Sequence, residues 1–183
     1  RGKKNKDYSR IKNNRSEIDL ILDNLHNFLC THIERQVDAG ADVIQIFDSW
    51  AGLISHEDIS NYCYIPNMKI VEFCKKRKIP VICFPKGIKE NYKEFNNIVK
   101  PNGLNLDYEI DPMWARDNLS NVVLQGGLDP KLLLSSEQEI LYKTKKYLDI
   151  FRYLPYVFNL GHGLLPETDP DKVFKLIKYY REF

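Results

Sequence analysis

The chain has 183 residues, 43% hydrophobic and 28% charged, with a formal net charge of +2 and a sequence pI near 8.3. That is enough chain for one sizeable core, and the mild, interspersed charge argues against a nucleic-acid-binding protein. No apolar run reaches the ~20 residues of a membrane span and no apolar signal segment opens the chain, so the expectation is a soluble, cytoplasmic protein.

The opening is the one strongly biased stretch: Arg1, Lys3, Lys4, Lys6, Arg10, Lys12 and Arg15 face only Asp7. It reads as a solvated loop, because neither an aromatic stacking series nor a nucleic-acid motif accompanies the charge. A loop-like start at Arg1 also suggests a fragment of a longer domain.

From Ser16 to Ala39, apolar residues recur at Ile18, Leu22, Leu25, Leu29, Ile33 and Val37, one face of a helix, and Gly40 supplies a stop. The run DVIQIF, residues 42 to 47, follows as a β-branched strand ending in Asp48 and Ser49. The same alternation then repeats. A helix over Glu57 to Lys76, interrupted near Pro66, leads to a strand at Val81 to Phe84. A helix over Lys89 to Val99 leads to a strand at Leu104 to Asp107. A short helix opening at Asp111 and Pro112 precedes a strand at Val122 to Gln125. A helix from Ser136 precedes a strand at Tyr156 to Asn159, and a last helix follows Asp169 and Pro170. Asp before Pro at a helix start combines a capping side chain with a preset first turn.

Strands starting at 42, 81, 104, 122 and 156 average close to the ~31 residues per unit of a (β/α)8 barrel of ~250 residues. The fold class is therefore α/β, part of a (β/α)8 TIM barrel, roughly its last five βα units, with residues 1–183 forming one domain. An open doubly wound sheet has the same alternation, but the glycine-bearing segments FPKG, LQGG and NLGHG contain neither GxGxxG nor GxxxxGK.

In either architecture, chemistry gathers at the carboxyl ends of the strands. That criterion selects Asp48 and Ser49, Lys86, Asp107, Gln125, Asn159 and His162. His162 stands between Gly161 and Gly163, which let the backbone turn tightly and a ligand approach; the alternative is a histidine bonded within its loop. The Ser49 hydroxyl can bond a substrate carboxylate or cap the following turn. It is a poor nucleophile candidate, since GxSxG is absent and no base partner is identifiable. Asp48 and Asp107 can act as acids or as acceptors for backbone amides, and Lys86 can neutralise an acidic substrate or sit as a surface charge. His26, His32 and His56 fall on helices or at a helix start and read as structural. Cys30, Cys63, Cys74 and Cys83 contain no CxxC pair and read as reduced core residues.

Three ordered stretches carry a resemblance. AGADVIQIFDSWAGLIS (residues 39 to 55) resembles the uroporphyrinogen decarboxylase segment in which a strand ends in FDSW or FESH. LQGGLDP (124 to 130) is similar to that family's LQGNLDP, and FNLGHGLLPETDPDKV (158 to 173) to its NLGHG signature. PVICFPKG, between the first two, fits the same pattern, whereas LDY at 106 to 108 stands where the family has LDW. The resemblance covers essentially the whole chain but only the carboxyl-terminal half, or slightly more, of the family's barrel.

What the resemblance implies is removal of carbon dioxide from the four acetate side chains of uroporphyrinogen, giving coproporphyrinogen, with no metal or organic cofactor. Protonating a pyrrole carbon creates a cationic imine-like electron sink, so the protein need supply only an acid, charge stabilisation and orientation. Ser49 and His162 carry over as substrate contacts. A homodimer is implied by the resemblance alone. The family's arginine-rich stretch, pyrrole-facing aspartate and tyrosine have no counterpart positions here. Of the other classes, a corrinoid-linked methyltransferase of the same superfamily needs about three zinc ligands, and no cysteine lies near His162. A barrel fragment without activity of its own, pairing with a partner half, is the remaining reading, since an incomplete barrel exposes two sheet edges.

Overall fold

A computed structural model describes residues 14–182. The basic opening segment up to residue 13 lies outside the described residues. By its contacts the chain divides into two compact units, Arg1–Asp42 and Val43–Phe183.

The first unit contains α1 (Arg15–Asp38), which is closed by the Ala39 N–H on the Arg35 carbonyl and the Gly40 N–H on the Val37 carbonyl. The apolar stripe seen in the sequence is graded along it: Ile33 is buried together with Cys30, whereas Leu25 remains exposed beside Leu20, Ile21 and Phe28.

The second unit alternates strand and helix as the sequence indicated. Its elements are β1 (Ile44–Asp48), α2 (Ile65–Lys76), β2 (Val81–Pro85), α3 (Tyr92–Val99), β3 (Gly103–Leu106), α4 (Pro112–Asn118), β4 (Val123–Gly126), α5 (Glu137–Phe151), β5 (Tyr156–Val157) and α6 (Pro170–Glu182). All five strands pair in parallel and in chain order, β1-β2-β3-β4-β5. A doubly wound sheet reverses its strand order at a switch point; this sheet does not.

The register decides which residues share a face. Ile44, Val81, Cys83, Leu104, Leu106 and Leu124 fall on one side, and all are buried. Each large aliphatic side chain there contributes about 1.5–3 kcal/mol of burial. Tyr92, Phe95 and Val99 of α3 and Val71 and Cys74 of α2 are buried with them. The other side carries Gln45, Phe47, Ile82, Phe84, Gly103, Asn105, Val123, Gln125 and Val157.

That second face shows the sheet to be curled. Gln125 Nε2 donates to Gln45 Oε1 at 3.2 Å, although the two stand on β4 and β1. On a flat sheet those strands would lie about 14 Å apart with their side chains parallel. The bond forms only if the sheet bends toward this face, as the wall of a barrel does. Gln125 also donates to Asn105 Oδ1 at 2.7 Å, so the inner face carries a layer of amides.

Several local details depart from the sequence expectation. β5 spans two residues rather than four: Phe158 leaves the ladder and stacks on Tyr180 of α6, with ring centroids 4.7 Å apart, and only a single bridge, Leu128 to Leu160, continues the pairing. The interruption near Pro66 is a π-helical turn, Ser60–Tyr64, leading into α2 with Pro66 in its first turn. The wider turn accommodates a ring that cannot donate to the preceding turn. A third Asp-Pro pair, Asp129 and Pro130, opens a 3-10 turn, and Asp111, Asp129 and Asp169 each accept the N–H two residues on, at 2.8, 2.9 and 2.9 Å.

None of the four cysteines forms a disulfide and all are buried, as read from the sequence. Gly127, which stands where the resembling motif has Asn, adopts φ +98°, and a Cβ there would overlap the Tyr147 hydroxyl. The replaced side chain and the tyrosine thus occupy the same space. Gly127→Ala is expected to lower the unfolding free energy by about 2 kcal/mol, from the positive φ together with the overlap. Urea denaturation would check this; a loss of only about 1 kcal/mol would leave the φ strain alone and show that Tyr147 swings aside freely, and a loss under about 0.5 kcal/mol would overturn both causes.

Candidate functional site at the carboxyl ends of the strands

The candidates selected from the sequence divide into exposed side chains and side chains spent on structure. Ser49 follows β1 directly and is exposed. The next turn, Ala51–Leu53, starts at Trp50, so Ser49 is not its capping residue. Trp50 beside it is 62% exposed.

His162 is exposed in the loop after β5. Its Nδ1 accepts the Gly163 N–H at 2.7 Å. With Nδ1 assigned as an acceptor, the neutral ring carries its proton on Nε2, which is left free to donate outward. A neutral or a protonated imidazole therefore presents the same N–H to an incoming carboxylate.

The two aspartates are both engaged. Asp48 accepts from Asn67 Nδ2 at 3.2 Å, beside the buried Cys63. Burial above all, and then the Asp48 charge, push the Cys63 thiol well above its ordinary range, so it stays protonated and inert. Asp107, 1% exposed, accepts Gly87 N–H on Oδ2 at 2.7 Å and Glu109 N–H on Oδ1 at 2.9 Å. The Tyr92 hydroxyl lies 3.4 Å from Oδ2 and accepts the Asp107 N–H at 3.3 Å. Gln125 belongs to the amide layer, and Asn159 accepts the following Leu160 N–H at 2.8 Å. Lys86 is half-buried, with its ammonium 6.0 Å from the centre of the Tyr108 ring.

No hydrogen bond joins Ser49 to His162 among the described residues, but their loops are held through close backbone contacts. Gly52 donates to the Lys86 carbonyl at 2.9 Å, and a Cβ on Gly52 would overlap the Gly87 carbonyl. A Cβ on Gly161 would overlap the Tyr108 amide nitrogen. Gly161 N–H donates to the Leu128 carbonyl at 2.8 Å. Glycine is required at 52 and 161 because neighbouring loops touch there, backbone to backbone. The sequence reading located the GHG pair but not the loops it packs against, since contact between separate loops leaves no periodic signal.

Beside this rim lies a cleft of about 420 Å³, walled by Tyr108, Ile110, Leu128 and α5, with Lys131, Lys143 and Lys146 on its lining. Among the described residues no group of three or more His, Cys, Asp or Glu side chains is arranged to hold a metal ion. No described helix is long and apolar enough to cross a membrane.

A parallel sheet in sequential order, curled over an amide-lined face and carrying an exposed serine and histidine at its carboxyl rim, defines a protein of the α/β-barrel class. The sequence profile of the family described as uroporphyrinogen decarboxylase (URO-D) matches residues 1–183. Similar curated proteins agree. The uroporphyrinogen decarboxylase of Wolbachia sp. subsp. Brugia malayi (strain TRS) is 35% identical over 179 residues, covering 96% of this chain and 51% of the relative. That of Cereibacter sphaeroides (strain ATCC 17025 / ATH 2.4.3) is 33% identical, covering 91% and 50%, and that of Wolbachia pipientis wMel is 34% identical, covering 100% and 54%. The chain belongs to the uroporphyrinogen decarboxylase family, and it spans about half the length of the curated relatives it matches.

Proposed function

We propose that the protein carrying this chain is a carboxy-lyase that decarboxylates the four acetate side chains of uroporphyrinogen to give coproporphyrinogen. In this reading residues 1–183 form the carboxyl-terminal part of a single barrel domain, and the full-length protein is a cytoplasmic homodimer. The single observation that carries the reading is family membership over the full 183 residues. It is supported at the rim by two exposed donors, the Ser49 hydroxyl and the His162 Nε2, at the carboxyl ends of strands β1 and β5.

Each donor binds a carboxylate of the octa-acid in this mechanism. Ser49 offers a neutral O–H, and His162 an N–H that gains charge assistance when the ring is protonated. Their work is to hold the macrocycle in one orientation while a pyrrole carbon takes up a proton and the carbon-carbon bond to the leaving carboxylate breaks into the cationic ring.

The test is anaerobic turnover of uroporphyrinogen, followed by chromatography of the less-carboxylated products. It uses the chain alone and the chain joined to the amino-terminal half of the Wolbachia relative that it does not cover. His162→Ala is expected to lower kcat/KM by roughly 10- to 100-fold, the value of a hydrogen bond to a charged group. An active protein indifferent to both His162→Ala and Ser49→Ala would remove these residues from the site.

A further inference from the structure

We infer that Asp107 is a positioning residue that locks the Ser49 loop and the His162 loop into one rigid rim; the functional part of this inference rests on the proposal that those two residues bind substrate carboxylates. The observations form a continuous path. The Lys86 N–H donates to the Asp48 carbonyl at 3.1 Å and the Gly52 N–H to the Lys86 carbonyl at 2.9 Å, which ties the segment holding Ser49 to the loop after β2. The next amide along that loop, Gly87 N–H, ends on Asp107 Oδ2 at 2.7 Å. On the other side, the peptide joining Asp107 to Tyr108 is the surface on which Gly161 packs, with no room for a Cβ, and His162 is the next residue. Asp107 thus holds the loop on the Ser49 side through its carboxylate and carries the His162 loop against its own main chain, so both loops are referred to the same point of the sheet.

The chemistry requires a carboxylate there. Two backbone N–H groups from different places, Gly87 and Glu109, point at two different oxygens of one side chain. A carboxylate has acceptor capacity on both oxygens, whereas a carboxamide has it on one and carries two donors on the other. Asp107→Asn keeps the shape and forces one N–H to face an NH2 group, in a site 1% exposed where water cannot substitute. The neighbouring Tyr92 hydroxyl completes the cluster, and its pKa is raised well above the ordinary range by burial first and the Asp107 charge second, so it remains a neutral donor.

The experiment has two arms on Asp107→Asn. In the first, amide hydrogen exchange is read residue by residue. Exchange at Gly52, Gly87 and Gly161 should accelerate at least tenfold while the buried Leu148 amide of α5 is unchanged; acceleration confined to Gly87, or uniform across the chain, overturns the lock. In the second, binding of uroporphyrin, the oxidised octacarboxylic macrocycle, is measured by fluorescence in the chain joined to the amino-terminal half of the Wolbachia relative, without further change and in the Ser49→Ala/His162→Ala background. Asp107→Asn should weaken binding about tenfold in the first and less than twofold in the second, because its effect passes through the two residues already removed. An equal loss in both backgrounds overturns the positioning role. Absence of binding by the joined protein without substitutions counts against the substrate reading, and the exchange arm then decides the lock by itself.

Discussion

Gly161→Ala is expected to lower the unfolding free energy by about 3 kcal/mol or more, whereas Gly163→Ala should stay within about 0.5 kcal/mol of wild type. The sequence makes the two glycines look equivalent, one on each side of His162. The structure separates them. A Cβ at 161 meets the Tyr108 amide nitrogen, the Tyr108 Cα at 3.0 Å and the Asp107 carbonyl carbon at 2.9 Å, all backbone atoms of a buried strand end that cannot rotate away. At 163 there is nothing within 4 Å, and neither glycine has a positive φ, so backbone strain does not enter. Urea denaturation of the two variants side by side checks the difference. Equal, small losses would mean that the loop after β5 lifts off Tyr108 at little cost.

The second large effect is alkaline unfolding. Burial, above all other causes, holds the Cys63 and Cys83 thiols and the Tyr92 phenol protonated far above their ordinary values of 9.0 and 10.0. Nearby acids reinforce this: Asp48 and Cys83 for Cys63, Cys74 for Cys83, and Asp107 for Tyr92. In the unfolded chain these groups ionise normally, so above about pH 9 the unfolded state binds fewer protons than the folded one and stability falls as pH rises. Below that pH the contribution is fully present. Each group costs about 1.4 kcal/mol per pH unit once past its ordinary value, roughly 7 kcal/mol for the three by pH 11, which is comparable to the whole stability of a domain. The expected record is a urea midpoint that collapses between about pH 9 and 11, with helical circular dichroism lost in one cooperative step over the same range. A urea midpoint unchanged between about pH 9 and 11 would show that the cluster ionises without unfolding the chain.

Much of the second unit can be read along the chain because its signals are local. Apolar periodicity, Asp-Pro caps and β-branched runs each act within a few residues, and they put four of the five strands and every helix close to their observed places. The family was legible for the same reason: FDSW, LQGGLDP and NLGHG are contiguous motifs. Even the wrong detail at β5 is local in the sequence and tertiary in cause, since YVFN is a sound strand sequence until Phe158 finds Tyr180 on the last helix.

The division of labour among the candidates was not legible. Asp48, Ser49, Asp107 and His162 are all polar residues at strand ends, and periodicity treats them alike. The fold spends Asp107 on the amides of Gly87 and Glu109 and Asp48 on Asn67, and it leaves Ser49 and His162 exposed. The curl of the sheet was equally hidden, because it is expressed in a bond between Gln45 and Gln125, eighty positions apart. By itself the sequence determined the order of elements, their caps and the family, all set by propensities and motifs that act between near neighbours. Only the tertiary structure decided which glycines are obligatory and which acids are structural, because burial and loop-to-loop contact depend on residues that meet only once the chain has folded.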